Sequence, residues 1–288
     1  MAVDLALRFD AEIVSADSMQ VYEGLDIGTA KLNREERRGV AHHMIDVVSP
    51  DTVFSVADYV EGARKSIADI SADMKLPIIC GGTGLYISSL LDGIDFKSVL
   101  RDTDLSAEVE AEYARDNGNG LLIELAAADP QYAAKMNVND RKRIVRAVEI
   151  LRAGQLPSEA MQFSRKTSGL RPLCIILVPR QRQALYNKIN ERVDKMIENG
   201  LIDEARYVYD NRNAFLTAAQ AIGYKELFPF FESDADVFEC IDRIKQSSRR
   251  YAKRQMTWFR RYTDDVVVDA EEATADELSA IIEKHLKV

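Results

Sequence analysis

The strongest constraint in these 288 residues is an uncharged run that ends on glycines: Leu76-Pro77-Ile78-Ile79-Cys80, followed at once by Gly81-Gly82-Thr83-Gly84-Leu85-Tyr86. A short, wholly apolar run closed by a turn signal reads as a strand buried on both faces, the kind a parallel sheet uses. Ile13-Val14 and Leu173-Cys174-Ile175-Ile176-Leu177-Val178 are runs of the same type, and a helical pattern from Ser55 to Met74 leads into the middle one. Strands alternating with helices predict an α/β fold whose parallel sheet is covered on both faces. Between about 98 and 165 no strand pattern occurs, only helical segments rich in Glu, Ala and Arg. That stretch reads as a helical insertion (98–165) in an α/β core made of 1–97 and 166–288. Beyond Pro179 the pattern is helical over Tyr186–Asn199, Leu201–Tyr209 and Asp234–Arg261.

Charge bears on partners only when taken by region. The net charge of −9 argues against nucleic acid for the chain as a whole. Yet Arg243 to Arg261 carries eight basic residues and no acid, and Arg141-Lys142-Arg143-Ile144-Val145-Arg146 carries four in six positions. Arg243, Arg250, Arg254 and Arg261 recur at steps of seven and four, which places them on one helix face; Lys245, Arg249, Lys253 and Arg260 line the neighbouring face. A solvated face is the plain alternative, but unbalanced cations repel one another, and a polyanion such as an RNA backbone relieves that repulsion. No run of roughly 18 apolar residues occurs, so no membrane span is expected. The opening MAVDLALRFD lacks the layout of a signal peptide. Cys80, Cys174 and Cys240 are too few and too far apart for a disulfide framework or a zinc site. A reduced, cytoplasmic setting is expected.

Four features could carry chemistry. Asp17 follows the strand Ile13-Val14 within Ser15-Ala16-Asp17-Ser18, and the carboxyl ends of strands in open α/β sheets are where ligands bind. It either meets a ligand or caps the next turn. Gly81-Gly82-Thr83-Gly84 either brings backbone N–H groups to an anion at a helix start or makes a tight strand-to-helix turn capped by Thr83. Arg192 lies on an amphipathic helix, where pairing with Glu191 or Asp194 is the ordinary expectation. His42-His43 has no companion but the distant His285, so a structural role is expected rather than a metal site.

Read in order, longer words resemble the tRNA isopentenylpyrophosphate transferase family, the tRNA dimethylallyltransferases. They are Asp17-Ser18-Met19-Gln20-Val21-Tyr22, Asp26-Ile27-Gly28-Thr29-Ala30-Lys31, His42-His43 with Ile45-Asp46, and Gly81-Gly82-Thr83-Gly84-Leu85-Tyr86. Asn139-Asp140 with Arg143 and Arg146, Ala221-Ile222-Gly223-Tyr224-Lys225-Glu226, and Ala252-Lys253-Arg254-Gln255-Met256-Thr257-Trp258-Phe259-Arg260 complete the set. The resemblance implies a P-loop-kinase-like fold with a helical insertion, and transfer of a dimethylallyl group from its diphosphate to N6 of the adenine at position 37, beside the tRNA anticodon. Asp17 matches the catalytic aspartate, a general base for the exocyclic amine. Arg192 matches the arginine facing the diphosphate. Mg²⁺ is the implied diphosphate partner. The implied tRNA contacts are Asp17, Ser18, Met19 and Gln20; Thr83; Lys142, Arg143, Ile144, Val145 and Arg146; and Gln220, Ala221, Ile222, Gly223, Tyr224 and Lys225. Lys253 and Arg254 are expected to hold RNA backbone while the adenine is extruded. The expected partners are the tRNA anticodon stem-loop and dimethylallyl diphosphate, with no membrane and a monomeric state.

The sequence also departs from the family pattern. Asn137-Val138 replaces the usual His-Pro, and Ser106 stands where many members place an arginine that touches tRNA, a contact that is either lost here or supplied by Arg101. Family members open with a strand and a Gly-x-x-x-x-Gly-Lys-Thr loop; here Met1 aligns just beyond that threonine. The expectation is a start placed downstream of the first strand and P-loop, with catalysis and folding impaired in the chain as written. A nucleotide kinase of similar fold and a non-catalytic RNA-binding remnant are the competing readings. The absent P-loop lysine and the basic surfaces disfavour the kinase, and product analysis with tRNA separates both from the transferase.

Overall fold

A computed structural model describes residues 1–92, 102–160, 169–233, 235–262 and 266–287. The chain divides into two compact units, Met1–Leu90 with Arg171–Val288, and Leu91–Leu170. In chain order the first unit begins α1 (Ala2–Arg8), β1 (Ala11–Ser15), α2 (Arg34–Arg37), β2 (His42–His43), α3 (Val56–Ala72), β3 (Leu76–Cys80) and α4 (Gly84–Asp92), the last running into the second unit. The second unit holds α5 (Thr103–Asp116), α6 (Asn119–Ala128), α7 (Pro130–Ala133), α8 (Arg141–Arg152) and α9 (Pro157–Ala160). The first unit resumes with β4 (Ile175–Val178), α10 (Arg182–Glu198), α11 (Leu201–Asp210), α12 (Phe228–Ser233), α13 (Val237–Phe259), β5 (Val266–Asp269) and α14 (Ala275–Leu286).

The expected parallel α/β character is present: β1 pairs in parallel with β2 on one side and β3 on the other, and β4 pairs in parallel with β5. Five strands stand among the described residues where the sequence pattern offered three. The additions are His42–His43, only two residues long, and Val266–Asp269, set among acids that mask its apolar run. β1 is central to its sheet, and Val14 and Ala16 are fully buried. Its register with β3 places Ser15 opposite Cys80, and Ala16 N–H then donates to the Cys80 carbonyl at 2.8 Å. Both strands therefore run out at one level, side by side.

The main apolar core of the first unit is built away from this sheet. Val21, Tyr22 and Leu25, from the loop after β1, pack with Leu201, Ala205 and Val208 of α11, with Tyr224 and Leu227, and with Cys240 and Ile244 of α13. α3 starts on a capping box, Ser55 with Asp58, whose reciprocal side-chain bonds satisfy otherwise orphaned N–H groups. In the second unit, α5, α6 and α8 pack through Val109, Leu121, Ile144, Val145 and Val148.

Candidate active site

Asp17 resolves its two sequence readings by satisfying both. One carboxylate oxygen, Oδ1, accepts from Met19 N–H at 2.8 Å and from Gln20 N–H at 3.3 Å, so the residue caps the turn that follows β1. The other, Oδ2, has no hydrogen-bond partner among the described residues. The side chain is half-buried. Burial pushes its pKa above the ordinary carboxylate value of 3.8, while the two backbone donors and the Arg192 charge pull the other way. Arg192 itself is exposed on α10 and makes no ion pair with a described residue. The expected intrahelical pairing does not occur: Asp194 is taken by Lys245 of α13 at 2.6 Å.

The glycine turn after β3 owes its composition to the protein rather than to an anion. A Cβ on Gly81 would lie well under 3.0 Å from the Ala16 backbone, which cannot move without breaking the β1–β3 register. On Gly82 it would meet the Gln255 side chain, and on Gly84 the Trp258 indole. The three glycines thus let the end of β1 and one face of α13 approach the same turn. Thr83 N–H donates to Ala16 O at 3.0 Å, and its Oγ1 accepts from Ser18 N–H at 3.0 Å, so Thr83 clamps the Asp17 turn. From α13, Gln255 Nε2 donates to Gly82 O at 3.0 Å and Trp258 Nε1 donates to Ser88 Oγ at 2.9 Å. Behind the turn Tyr86 stacks on Tyr59, with centroids 4.0 Å apart.

The basic helix is only partly unbalanced, which corrects the picture of eight free cations. Lys245 has Asp194, Arg243 has Glu239 at 3.7 Å, and Arg249 bonds Asn190 Oδ1 at 2.6 Å. Arg250, Lys253, Arg254 and Arg260 are exposed and make no ion pair with described residues. The first three sit at i, i+3 and i+4, one patch near the helix's carboxyl end. Arg261 lies 4.1 Å above the Trp258 ring.

The remaining candidates sort by what their side chains touch. Gln20 is occupied structurally: its Oε1 accepts from Ser15 Oγ at 2.9 Å, and its Nε2 donates to Thr29 O at 3.2 Å. Tyr224 is fully buried, so its ring presents nothing to a partner; its hydroxyl donates to Glu204 Oε1 at 2.7 Å, and its ring fills the space a Cβ on Gly28 would need. Ala221 is also buried, whereas Gln220 and Lys225 are exposed. Ile144 and Val145 are core residues, which leaves Lys142, Arg143 and Arg146 as the basic side chains of that segment. Arg146 is held by buried Glu149 at 2.9 Å, and Ser106 donates to the same carboxylate at 2.5 Å. Ser106 is therefore a packing partner in its own unit. Arg101 lies outside the described residues. His42 and His43 bond Val40 O and Glu12, as a structural role requires, and among the described residues no group of three or more His, Cys, Asp or Glu could hold a metal ion.

Sequence reasoning missed Glu204. Its Oε2 accepts from Asp26 N–H and Ile27 N–H at 2.8 and 2.9 Å, and its Oε1 from Gly28 N–H at 2.8 Å, besides the Tyr224 hydroxyl. Three successive amides cradle one carboxylate. Nearby, almost fully buried Lys31 binds Asp26, Asp46 and the Tyr22 carbonyl. The words Asp26–Lys31 and Ala221–Glu226 are thereby joined as scaffold behind the Asp17 turn.

Known proteins resemble this chain over most of its length. The family model described as IPP transferase matches residues 20–262. The tRNA dimethylallyltransferase of Bacillus licheniformis is 44% identical over 265 residues, covering 92% of this chain and 84% of that protein. That of Thermoanaerobacter sp. is 43% identical, covering 91% and 84%. Among solved structures, the full-length tRNA isopentenylpyrophosphate transferase of Bacillus halodurans superposes with a TM-score of 0.71 at 38% identity, over 99% of this chain and 90% of that one. A eukaryotic dimethylallyltransferase captured acting on tRNA superposes with a TM-score of 0.85 at 27% identity, over 99% and 75%.

Proposed function

The chain belongs to the IPP transferase family, and we propose that in the family's reaction Asp17 is the general base and Arg192 the cation facing the leaving group. The reaction is transfer of a dimethylallyl group to adenine 37 of tRNA. One observation carries the assignment of Asp17: a half-buried carboxylate at the end of the central strand, one oxygen fixed by two backbone donors and the other uncommitted. The donor of the group is dimethylallyl diphosphate. N6 of the extruded adenine attacks the first carbon of the dimethylallyl group, the C–O bond to diphosphate breaks, and its electron pair leaves with the diphosphate. The N6 proton passes to Asp17 Oδ2. The lone pair of an exocyclic amine is delocalised into the ring, so a positioned base and an offset leaving-group charge are the two places where side chains help most.

Mg²⁺, were it bound with the diphosphate, would add positive charge to offset the leaving group, as Arg192 does; among the described residues no group of three or more His, Cys, Asp or Glu could hold it. Arg250, Lys253 and Arg254 grip RNA backbone beside the turn, and Lys142, Arg143 and Arg146 do so in the second unit. No helix among the described residues is long and apolar enough to cross a membrane; we place the enzyme in the cytoplasm, where tRNA is, as a monomer. The test is mass analysis of anticodon-loop nucleosides after incubation with tRNA and dimethylallyl diphosphate. N6-dimethylallyladenosine at position 37 supports the proposal, and its absence overturns it.

A further inference from the structure

We propose, resting on the reading of Asp17 as the base, that Gln255 is a positioning residue for this reaction. Its side-chain amide fixes the peptide between Gly82 and Thr83, and through Thr83 it sets the turn that carries Asp17. Gln255 Nε2 donates to Gly82 O at 3.0 Å. On the other side of the same planar peptide, Thr83 N–H donates to Ala16 O at 3.0 Å. Gln255 thus holds one edge of the peptide and the end of β1 the other. Thr83 in turn grips both neighbours of the base: Ala16 through its N–H, and Ser18 through Oγ1, which accepts from Ser18 N–H at 3.0 Å. A rotation of the 82–83 peptide would disturb both bonds, and with them the carboxylate between.

The packing here is tight. A Cβ on Gly82 would overlap the Gln255 amide nitrogen, and the three atoms nearest it all belong to Gln255. Gly82 does not take the left-handed conformation that favours glycine. Alanine there would therefore be accommodated by pushing the Gln255 amide aside, which breaks its bond to Gly82 O. Gln255 also stands at a telling place on α13. Exposed Lys253 lies two residues before it and, at about 100° per residue, points nearly the opposite way. The stretch that grips RNA outward thus holds the glycine turn inward. The helix does not depend on this one bond for its docking. Trp258 Nε1 donates to Ser88 Oγ at 2.9 Å, and the Tyr262 hydroxyl shares that buried serine at 2.8 Å.

Gln255→Met keeps the length of the side chain and removes its donor. The kcat for prenyl transfer is expected to fall about three- to tenfold, the scale of one neutral hydrogen bond, with KM for tRNA and its salt slope unchanged. Gly82→Ala reaches the same end from the other side and should slow turnover by a similar factor, about three- to tenfold. Combined with Gln255→Ala, which makes room for the new methyl, Gly82→Ala should add no further loss, because both remove one bond. Hydrogen exchange gives a readout independent of turnover: the Thr83 and Ser18 amides should exchange about three- to tenfold faster in Gln255→Met, with the amides of α13 unchanged. Unaltered Thr83 exchange, an unaltered kcat, or losses that multiply in the double variant would overturn the role. Turnover retained by Asp17→Asn overturns it as well, and is told apart because Thr83 exchange then still responds to Gln255→Met.

Discussion

Two carboxylates in the first unit hold backbone amides, and they do opposite things with them. Glu204 receives three successive N–H groups and the Tyr224 hydroxyl, so both of its oxygens are engaged in joining loops. Asp17 receives two N–H groups on one oxygen and leaves the second without a hydrogen-bond partner among the described residues, half-buried and within the field of Arg192. Saturation makes a carboxylate a structural bolt. Partial satisfaction leaves it able to take a proton, at a cost in stability that its raised pKa expresses.

Asp17→Asn should break the contrast most sharply. Asparagine keeps the Oδ1 acceptor and loses the base, so turnover is expected to fall at least about a hundredfold while tRNA binding holds. The sign for stability is opposite. A carboxyl whose pKa is raised on folding favours the protonated form in the folded chain, and that contribution is lost as pH rises through the folded value. Above that value the ionised Asp17 costs stability, and there Asp17→Asn should melt no lower than the parent. Any advantage should vanish in acid, where Asp17 is neutral. A melting temperature well below the parent above that value contradicts this.

Glu204→Gln is the mirror experiment. Glutamine offers one acceptor oxygen and turns its amide NH2, a donor, toward N–H groups, so a loss of about 2–3 kcal/mol in urea unfolding is expected, with turnover per folded molecule within about threefold. A large loss of turnover without loss of stability would erase the distinction between bolt and base. Lys253→Ala with Arg254→Ala is a smaller effect on a different axis. It should flatten the log–log salt dependence of tRNA binding by roughly 0.7 to 0.9 per contact removed and leave dimethylallyl diphosphate affinity alone. Lys245→Ala, whose side chain is already paired with Asp194, should barely move that slope. The finest test is Arg192→Ala. Its charge pulls the Asp17 pKa down, so its removal should shift the acid limb of the pH–rate profile to higher pH. A shift to lower pH would show that Arg192 does not act on Asp17.

The uneven legibility of the sequence follows the range of the interactions. Strand β3, helix α3 and the insertion-like helical stretch were readable because periodicity and turn chemistry are local. The strand His42–His43 was not, because two residues carry no period, and Val266–Asp269 hid among acids. Of the site, Asp17 and Thr83 stood out through their place after apolar strands. Gln20, Ile144, Val145 and Tyr224 look in sequence like equal members of contact segments, and only burial shows that their side chains are engaged within the protein.

By itself the sequence determined the α/β class, the family through an ordered set of motifs, and the carboxylate at the end of a parallel strand. Tertiary structure decided what each charge and each glycine is for. Glu204 lies 178 residues from the first amide it binds, Lys245 is neutralised from another helix, and Gly81 is glycine because Ala16 occupies the space. The physical reason is common to all three. Whether a polar group is satisfied, or a side chain has room, depends on atoms brought close only by folding, and a linear pattern records the group without its distant partner.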